Sequence, residues 1–156
     1  MARIKAYCGA DPGKSGAAAL LLPDNTVHFI DWNDSETYMA GLLKEWNQDY
    51  DIQLCLLERV WAFPGQGVSS VFTFGTNYGT WRGMLAVLGI PFILETPQAW
   101  MKGLVEKKES DKKKGASMAT AQRLFPKADI RLKKHDGRAD AALMAYVARQ
   151  RHIKGA

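Results

Sequence analysis

The chain has only two cysteines in 156 residues. Two thiols cannot form a disulfide framework or a thiolate metal cluster, and Cys8 and Cys55 each sit in an apolar, strand-like run. Reduced, buried thiols of a cytoplasmic protein are therefore expected. Long apolar runs are also missing. No stretch approaches the roughly 20 residues needed to cross a bilayer. Met1-Ala2-Arg3-Ile4-Lys5 lacks the apolar segment and cleavage site of a secretory signal, so no membrane partner is expected. What is present is ordinary globular material. A hydrophobic fraction of 47% with 24% charged residues excludes a disordered tail and a collagen-like rod. A chain of this length buries a full core without staples, as one domain spanning 1–156.

Charge is unevenly distributed. The 21 basic and 16 acidic residues give a net +5. Residues 1–101 carry six basic and ten acidic side chains, whereas residues 102–156 carry fifteen basic and six acidic. A net −4 beside a net +9 suggests a polyanionic partner docking on the C-terminal third. A solvated lysine loop is the other reading, and charge alone does not separate the two.

Along the chain, Arg3 to Ala10 reads as a strand ending at the turn-like Asp11-Pro12-Gly13. Ser15 to Leu22, the turn Pro23-Asp24-Asn25 and Thr26 to Asp31 form a hairpin signal. Ser35 can cap a helix from Glu36 to about Gln48. Ile52 to Leu57 is a continuous apolar run, as in a strand buried on both faces. A loop with Pro64, Gly65 and Gly67 precedes a long helix over about Val68 to Leu88. Pro91 to Glu95 reads as another buried strand, and Thr96-Pro97 opens a short helix. Gly103 to Gly115 is charged and expected to be mobile. Ala116 to Leu124 and Asp136 to Arg151 are the last helices, with Pro126 stopping the first. A three-strand meander followed by two helix-connected strands makes a mixed five-stranded α/β sheet flanked by helices. Right-handed crossovers place the first and fourth strands side by side.

Carboxylates cluster at the ends of those elements. Asp11 follows the first strand, Glu58 follows the run ending at Leu57, and Asp136 and Asp140 open the last helix on one face. Four acids converging from three segments would repel one another strongly unless divalent cations neutralise them. Oxygen-only ligands select Mg²⁺ or Mn²⁺, and a pair of such ions suits phosphodiester hydrolysis. Each acid also has a structural explanation. Asp11 could only make a turn, Glu58 could pair with Arg59 or Arg82, and Asp136 and Asp140 could simply meet a helix N-terminus. The run Cys8 to Ser15 nearly matches a phosphate-binding G-x-x-x-x-G-K-[ST] loop. However, cysteine stands where the first glycine belongs, and a hairpin follows in place of a helix.

Three segments together, Gly9-Ala10-Asp11-Pro12-Gly13, Leu56-Leu57-Glu58-Arg59-Val60-Trp61 and His135-Asp136-Gly137-Arg138-Ala139-Asp140-Ala141, resemble the RuvC family of Holliday junction resolvases within the RNase H-like superfamily. The His-Asp-Gly form of the third is more like phage-type members. The likeness runs in order from residue 3 to about 148. It implies an RNase H-like fold, a homodimer, and Mg²⁺-dependent nicking of four-way DNA junctions by Asp11, Glu58, Asp136 and Asp140. Cellular members usually place the last two acids three apart, where this chain has Gly137. That departure leaves His135 as an alternative ligand or base beside Asp136.

The resemblance also points to Trp61, three residues after Glu58, as a wedge into the junction, with Phe63 beside it. The competing reading buries Trp61 in the core. Lys112, Lys113, Lys114, Lys133 and Lys134 are candidate phosphate contacts, or solvent-facing lysines. Gly75, Gly79 and Gly83 recur every four residues in the long helix, at a cost of about 1 kcal/mol each relative to alanine, which close packing would have to offset. The resemblance makes this stripe the dimer interface; packing on the chain's own sheet is the alternative.

The expected function is thus a dimeric, metal-dependent nuclease acting on four-way junctions. A nuclease of the same fold acting on forks, flaps or RNA–DNA hybrids would use the same acids. A catalytically silent junction-binding protein would keep only the basic surface.

Overall fold

The computed structural model describes residues 1–106 and 115–155. Lys112, Lys113 and Lys114, with most of the charged 103–115 segment, lie outside the described residues.

Five strands form one sheet: β1 (Ile4–Ala10), β2 (Ala17–Leu21), β3 (Val27–Asp31), β4 (Tyr50–Glu58) and β5 (Phe92–Glu95), in the order β3-β2-β1-β4-β5. β1, β2 and β3 are antiparallel neighbours, whereas β4 runs parallel to β1 and β5 parallel to β4. The expected meander and crossovers are both present. The β2–β3 turn takes the residues that its sequence suggested. Asn25 adopts φ 66° and Asp24 accepts the Thr26 N–H at 2.9 Å.

Helices cover both faces. α1 (Glu36–Asp49) starts at Ser35, whose hydroxyl accepts the Tyr38 N–H at 3.2 Å. It leads directly into β4, which is therefore longer than the apolar run alone indicated. α2 (Val68–Val87) joins β4 to β5. α3 (Pro97–Met101) is capped by Thr96, which accepts the Ala99 N–H at 3.2 Å. α4 (Gly115–Leu124) and α5 (Asp136–Ile153) complete the chain, α5 following a single 3₁₀ turn over Lys133–His135.

Period-two alternation sorts each central strand between two cores. Ala6, Cys8, Ala10, Cys55 and Leu57 face α1 and α2, packing with Met39, Leu43, Trp81 and Leu85. Tyr7, Leu54 and Leu56 face α5, packing with Leu143, Met144, Val147 and Ala148. β4 is buried on both faces between residues 54 and 57, as its apolar run requires. β5 departs from expectation. It is an edge strand, only partly buried, with Leu94 exposed.

Two glycines set how closely α5 approaches the sheet. A Cβ on Gly9 would overlap the Ala141 carbonyl and the Ala145 amide, and one on Gly137 would overlap the Ser15 carbonyl. Gly137 is where α5 rests its first turn on the loop after β1. The stripe of Gly75, Gly79 and Gly83 behaves in the opposite way. Nothing lies within 4 Å of a Cβ placed on any of the three. The stripe therefore does not pack on the chain's own sheet.

Candidate active site

Ala10 on β1 is the register partner of Leu57 on β4. Asp11 and Glu58 are the next residues of two adjacent parallel strands, on the face that α5 covers. Alternation carries Tyr7, Gly9 and Asp11 to that side, and likewise Leu54, Leu56 and Glu58. Asp140 reaches the same sheet edge from the second turn of α5, and Asp136 begins that helix.

Three of the acids carry raised pKa values, and charges within the group of four are among the causes. Burial pushes the Asp11 carboxyl above the usual range; the Gly13 N–H, donating to Oδ1 at 2.9 Å, pulls it down, and the charge of Asp136 raises it. Glu58 is pushed up to about 7, first by burial and then by the charge of Asp11, against a hydrogen bond from Trp100. Asp140 is also pushed up to about 7 by burial and by the charges of Asp11, Glu58 and Asp136, against a hydrogen bond from Ser117. The four acids predicted from sequence thus lie in one electrostatic neighbourhood. Among the described residues, however, no three His, Cys, Asp or Glu side chains are gathered tightly enough to hold a metal ion as they stand. The donor set nevertheless suits a hard divalent cation, because it is all oxygen and its charges are mutually destabilised.

Two supporting contacts, from Trp100 and Ser117, have no signature in the sequence, whereas a third, from Gly13, is the Asp-Pro-Gly turn that the sequence suggested. Trp100, fully buried on α3, donates its indole N–H to Glu58 Oε2 at 2.9 Å. Ser117 on α4 serves Asp140, and the Gly13 amide serves Asp11. Among the described residues, Glu58 does not take the arginine partners that its neighbourhood suggested. It accepts the Trp100 indole N–H, while Arg82 lies over the Tyr78 ring.

His135 is buried and turned towards Asp129 and Leu132. Its Nδ1 accepts the Leu132 N–H at 3.4 Å and lies 3.8 Å from Asp129 Oδ1. Arg138, between Asp136 and Asp140 in sequence, points away from the acids. Its guanidinium donates to both Asp31 oxygens at 2.7 Å and to Asp129 at 3.0 Å, which ties α5 to the end of β3. Glu95, register partner of Glu58, is held by Arg151 at 2.7 and 3.1 Å.

A groove of about 230 Å³ runs from Glu58 past Arg59 to Trp61 and Phe63. These two rings lie 5.2 Å apart and both are exposed, so Trp61 is not core. Lys133 and Lys134 are exposed on the turn before Asp136. Lys134 lines a second recess of about 220 Å³ together with Lys14 and Arg138.

This mixed five-stranded sheet, a three-strand meander extended by two parallel strands with a terminal helix laid across it, is the RNase H-like fold. The chain is similar in structure to Thermus thermophilus RuvC in complex with a Holliday junction substrate, with a TM-score of 0.64 and 11% identity over 97% of this chain and 96% of that one. It is also similar to another structure of T. thermophilus RuvC, with a TM-score of 0.57, 11% identity and the same coverage. No protein-family pattern and no curated protein sequence matches it. Among the described residues, no helix is long and apolar enough to cross a membrane.

Proposed function

We propose that this chain is a metal-dependent DNA endonuclease that nicks four-way junctions. The observation that carries the proposal is the pairing of Asp11 and Glu58 on adjacent strand ends, with Asp140 feeling the charge of both. Asp11, Glu58, Asp136 and Asp140 would hold Mg²⁺, with Mn²⁺ as a substitute. When bound, such ions supply Lewis-acid activation of water and charge stabilisation of the leaving 3′-oxygen. The protein's own part is positional. Trp100 and Ser117 orient Glu58 and Asp140, Gly13 orients Asp11, and the tight seating at Gly137 brings the helical acids to the strand ends. Products would carry 5′-phosphate and 3′-hydroxyl ends, with no covalent enzyme intermediate.

The junction, as opposed to nucleic acid in general, is supported by the exposed Trp61–Phe63 pair beside Glu58 and by the RuvC-like fold. The open glycine face of α2 supports a homodimer, which would offer two equal sites to two strands of like polarity. The form of the last motif supports the phage-type branch, acting in bacterial or host cytoplasm. Lys133 and Lys134, and the lysines at 112–114, would contact phosphates.

The test is Asp140→Asn, with Asp11→Asn and Glu58→Gln alongside, on a synthetic four-way junction, a fork and an RNA–DNA hybrid. Mg²⁺-dependent nicking of the junction, lost by at least about 100-fold in each variant while binding persists, supports the reading. Preferential cutting of the fork or hybrid would move the substrate assignment. Tight binding with no Mg²⁺-dependent product would make the chain a silent junction binder.

A further inference from the structure

Gly137 fixes how near the first turn of α5 comes to the loop after β1, but a missing Cβ does not fix how the helix is turned about its own axis. Nor does a cap, because His135 stands at the cap position without a side-chain cap hydrogen bond. That rotation decides where Asp136 and Asp140 face. At 3.6 residues per turn, Arg138 leaves the helix roughly 160° around the axis from each of them. A contact made by Arg138 therefore sets the heading of both acids.

The contact is a clamp with two anchors. The Arg138 guanidinium donates to the two Asp31 carboxylate oxygens, each at 2.7 Å, to Asp129 Oδ2 at 3.0 Å and to the Asp129 carbonyl at 3.2 Å. The side chain is only 18% exposed and lies over the Phe29 ring at 5.5 Å. A planar fork paired with both oxygens of one carboxylate resists rotation, which a point-like ammonium cannot reproduce. The far side of the clamp leads to Asp11. Asp31 is the register partner of Ala17, whose carbonyl accepts the Asp11 N–H at 2.9 Å. The next residue, Trp32, donates its N–H to the Gly16 carbonyl at 3.0 Å. A short chain of contacts thus runs from α5 through Asp31 and Ala17 to the backbone of Asp11.

We propose that Arg138 is a positioning residue, whose clamp on Asp31 and Asp129 fixes the rotation of α5 and so aligns Asp136 and Asp140 with Asp11 for holding a divalent cation. A helical side chain ends about 6 Å from the axis, so a turn of about 20° carries a carboxylate roughly 2 Å. Ligand distances to a metal tolerate only about 0.2 Å. The inference rests on the nuclease reading and deepens it.

The experiment titrates Mn²⁺ into the purified chain without DNA and counts the bound ion by electron paramagnetic resonance. Melting in EDTA, junction binding in EDTA and nicking kinetics are measured alongside. Wild type is compared with Arg138→Lys, Arg138→Gln and Arg149→Gln. Arg149 donates to Asn25 at 3.0 Å from near the other end of α5, so its variant removes the same charge and one contact of the same helix. On charge alone, Arg138→Gln would tighten Mn²⁺ binding, because a positive charge near the acids is gone. It is instead expected to weaken Mn²⁺ binding about tenfold, and Arg138→Lys, which keeps the charge, about fivefold. In both, kcat falls while KM for the junction stays within about twofold. Arg149→Gln is expected to bind Mn²⁺ as wild type does. If the Arg138 variants bind Mn²⁺ as tightly as wild type, or more tightly, the positioning role is wrong and the nuclease reading stands. The same follows if Arg149→Gln loses as much, since the loss would then come from a loosened helix. If junction binding in EDTA falls and Mn²⁺ binding does not, Arg138 is a DNA contact and no positioning residue. If wild type itself binds no Mn²⁺, the metal-dependent reading falls and takes this one with it. Should Arg138→Gln fail to fold, Arg138→Lys decides alone.

Discussion

Trp100 donates its indole N–H to Glu58 Oε2 at 2.9 Å, joining the short helix after β5 to the last residue of β4. The bond stabilises the ionised carboxylate against the burial that raises it. Trp100→Phe keeps an aromatic ring in the core and removes the donor together with part of the ring volume. The Glu58 pKa is expected to rise further above about 7, read by carboxyl NMR titration, with a stability loss of about 1–2 kcal/mol in urea unfolding. An unmoved titration would mean that the indole does not hold Glu58.

Glu58 and Asp140 make metal-free stability depend on pH with a definite sign. Both folded-state pKa values, about 7, lie above the ordinary 4.5 and 3.8. Between those limits the folded chain binds more protons than the unfolded one, so stability from these groups falls as pH rises from about 4 to about 7 and is flat above. Mg²⁺ would compensate the ionised acids. It is expected to raise the melting temperature markedly at pH 8, little at pH 5, and reversibly on EDTA addition. Equal shifts at both pH values would dissociate the ion from these carboxylates.

Asp140→Asn should show opposite effects on stability and activity. Removing one charge from a partly buried cluster relieves repulsion from Asp11, Glu58 and Asp136. The metal-free variant is expected to melt higher than wild type at pH 8, while nicking is lost. A lower melting temperature would show that the charge is structurally required.

Glycine positions separate into two classes testable by alanine. Gly137→Ala forces a methyl into the Ser15 carbonyl and the Gly16 backbone, neither of which can rotate away. A loss of about 2–4 kcal/mol is expected, with α5 displaced from the loop carrying Asp11. Gly79→Ala meets open space. It should stabilise an isolated chain by up to about 1 kcal/mol through helix propensity. Differential scanning calorimetry of the two variants gives the comparison directly.

A larger side chain on the same stripe tests the homodimer. Gly79→Leu is expected to leave the fold intact, because among the described residues nothing lies within 4 Å of a Cβ at that position, yet to shift sedimentation towards monomer. Unchanged dimerisation would move the interface elsewhere.

Much of this molecule is legible in its residues. The apolar run 52–57, the Pro23–Asn25 turn and the caps Ser35 and Thr96 specify local structure through hydrogen bonding and burial over a few positions. They suffice for the elements, and the right-handed crossover rule adds the adjacency of β1 and β4. Period two also carries Asp11 and Glu58 to one face once their strands are paired. Other features are long-range. β5 reads as buried by composition but lies at the sheet edge, because edge position depends on which strands remain unpaired. Trp61 is aromatic enough for a core, yet no element covers it. The glycine stripe of α2 implied close packing that the single chain does not supply.

Local sequence thus determined the elements and which acids end them, since capping, alternation and turn chemistry act between residues a few positions apart. Only the tertiary structure decided that Trp100 and Ser117 serve those acids and that Gly137 seats α5. Each of these joins residues on different elements, far apart in sequence, brought together when the faces of one sheet were buried.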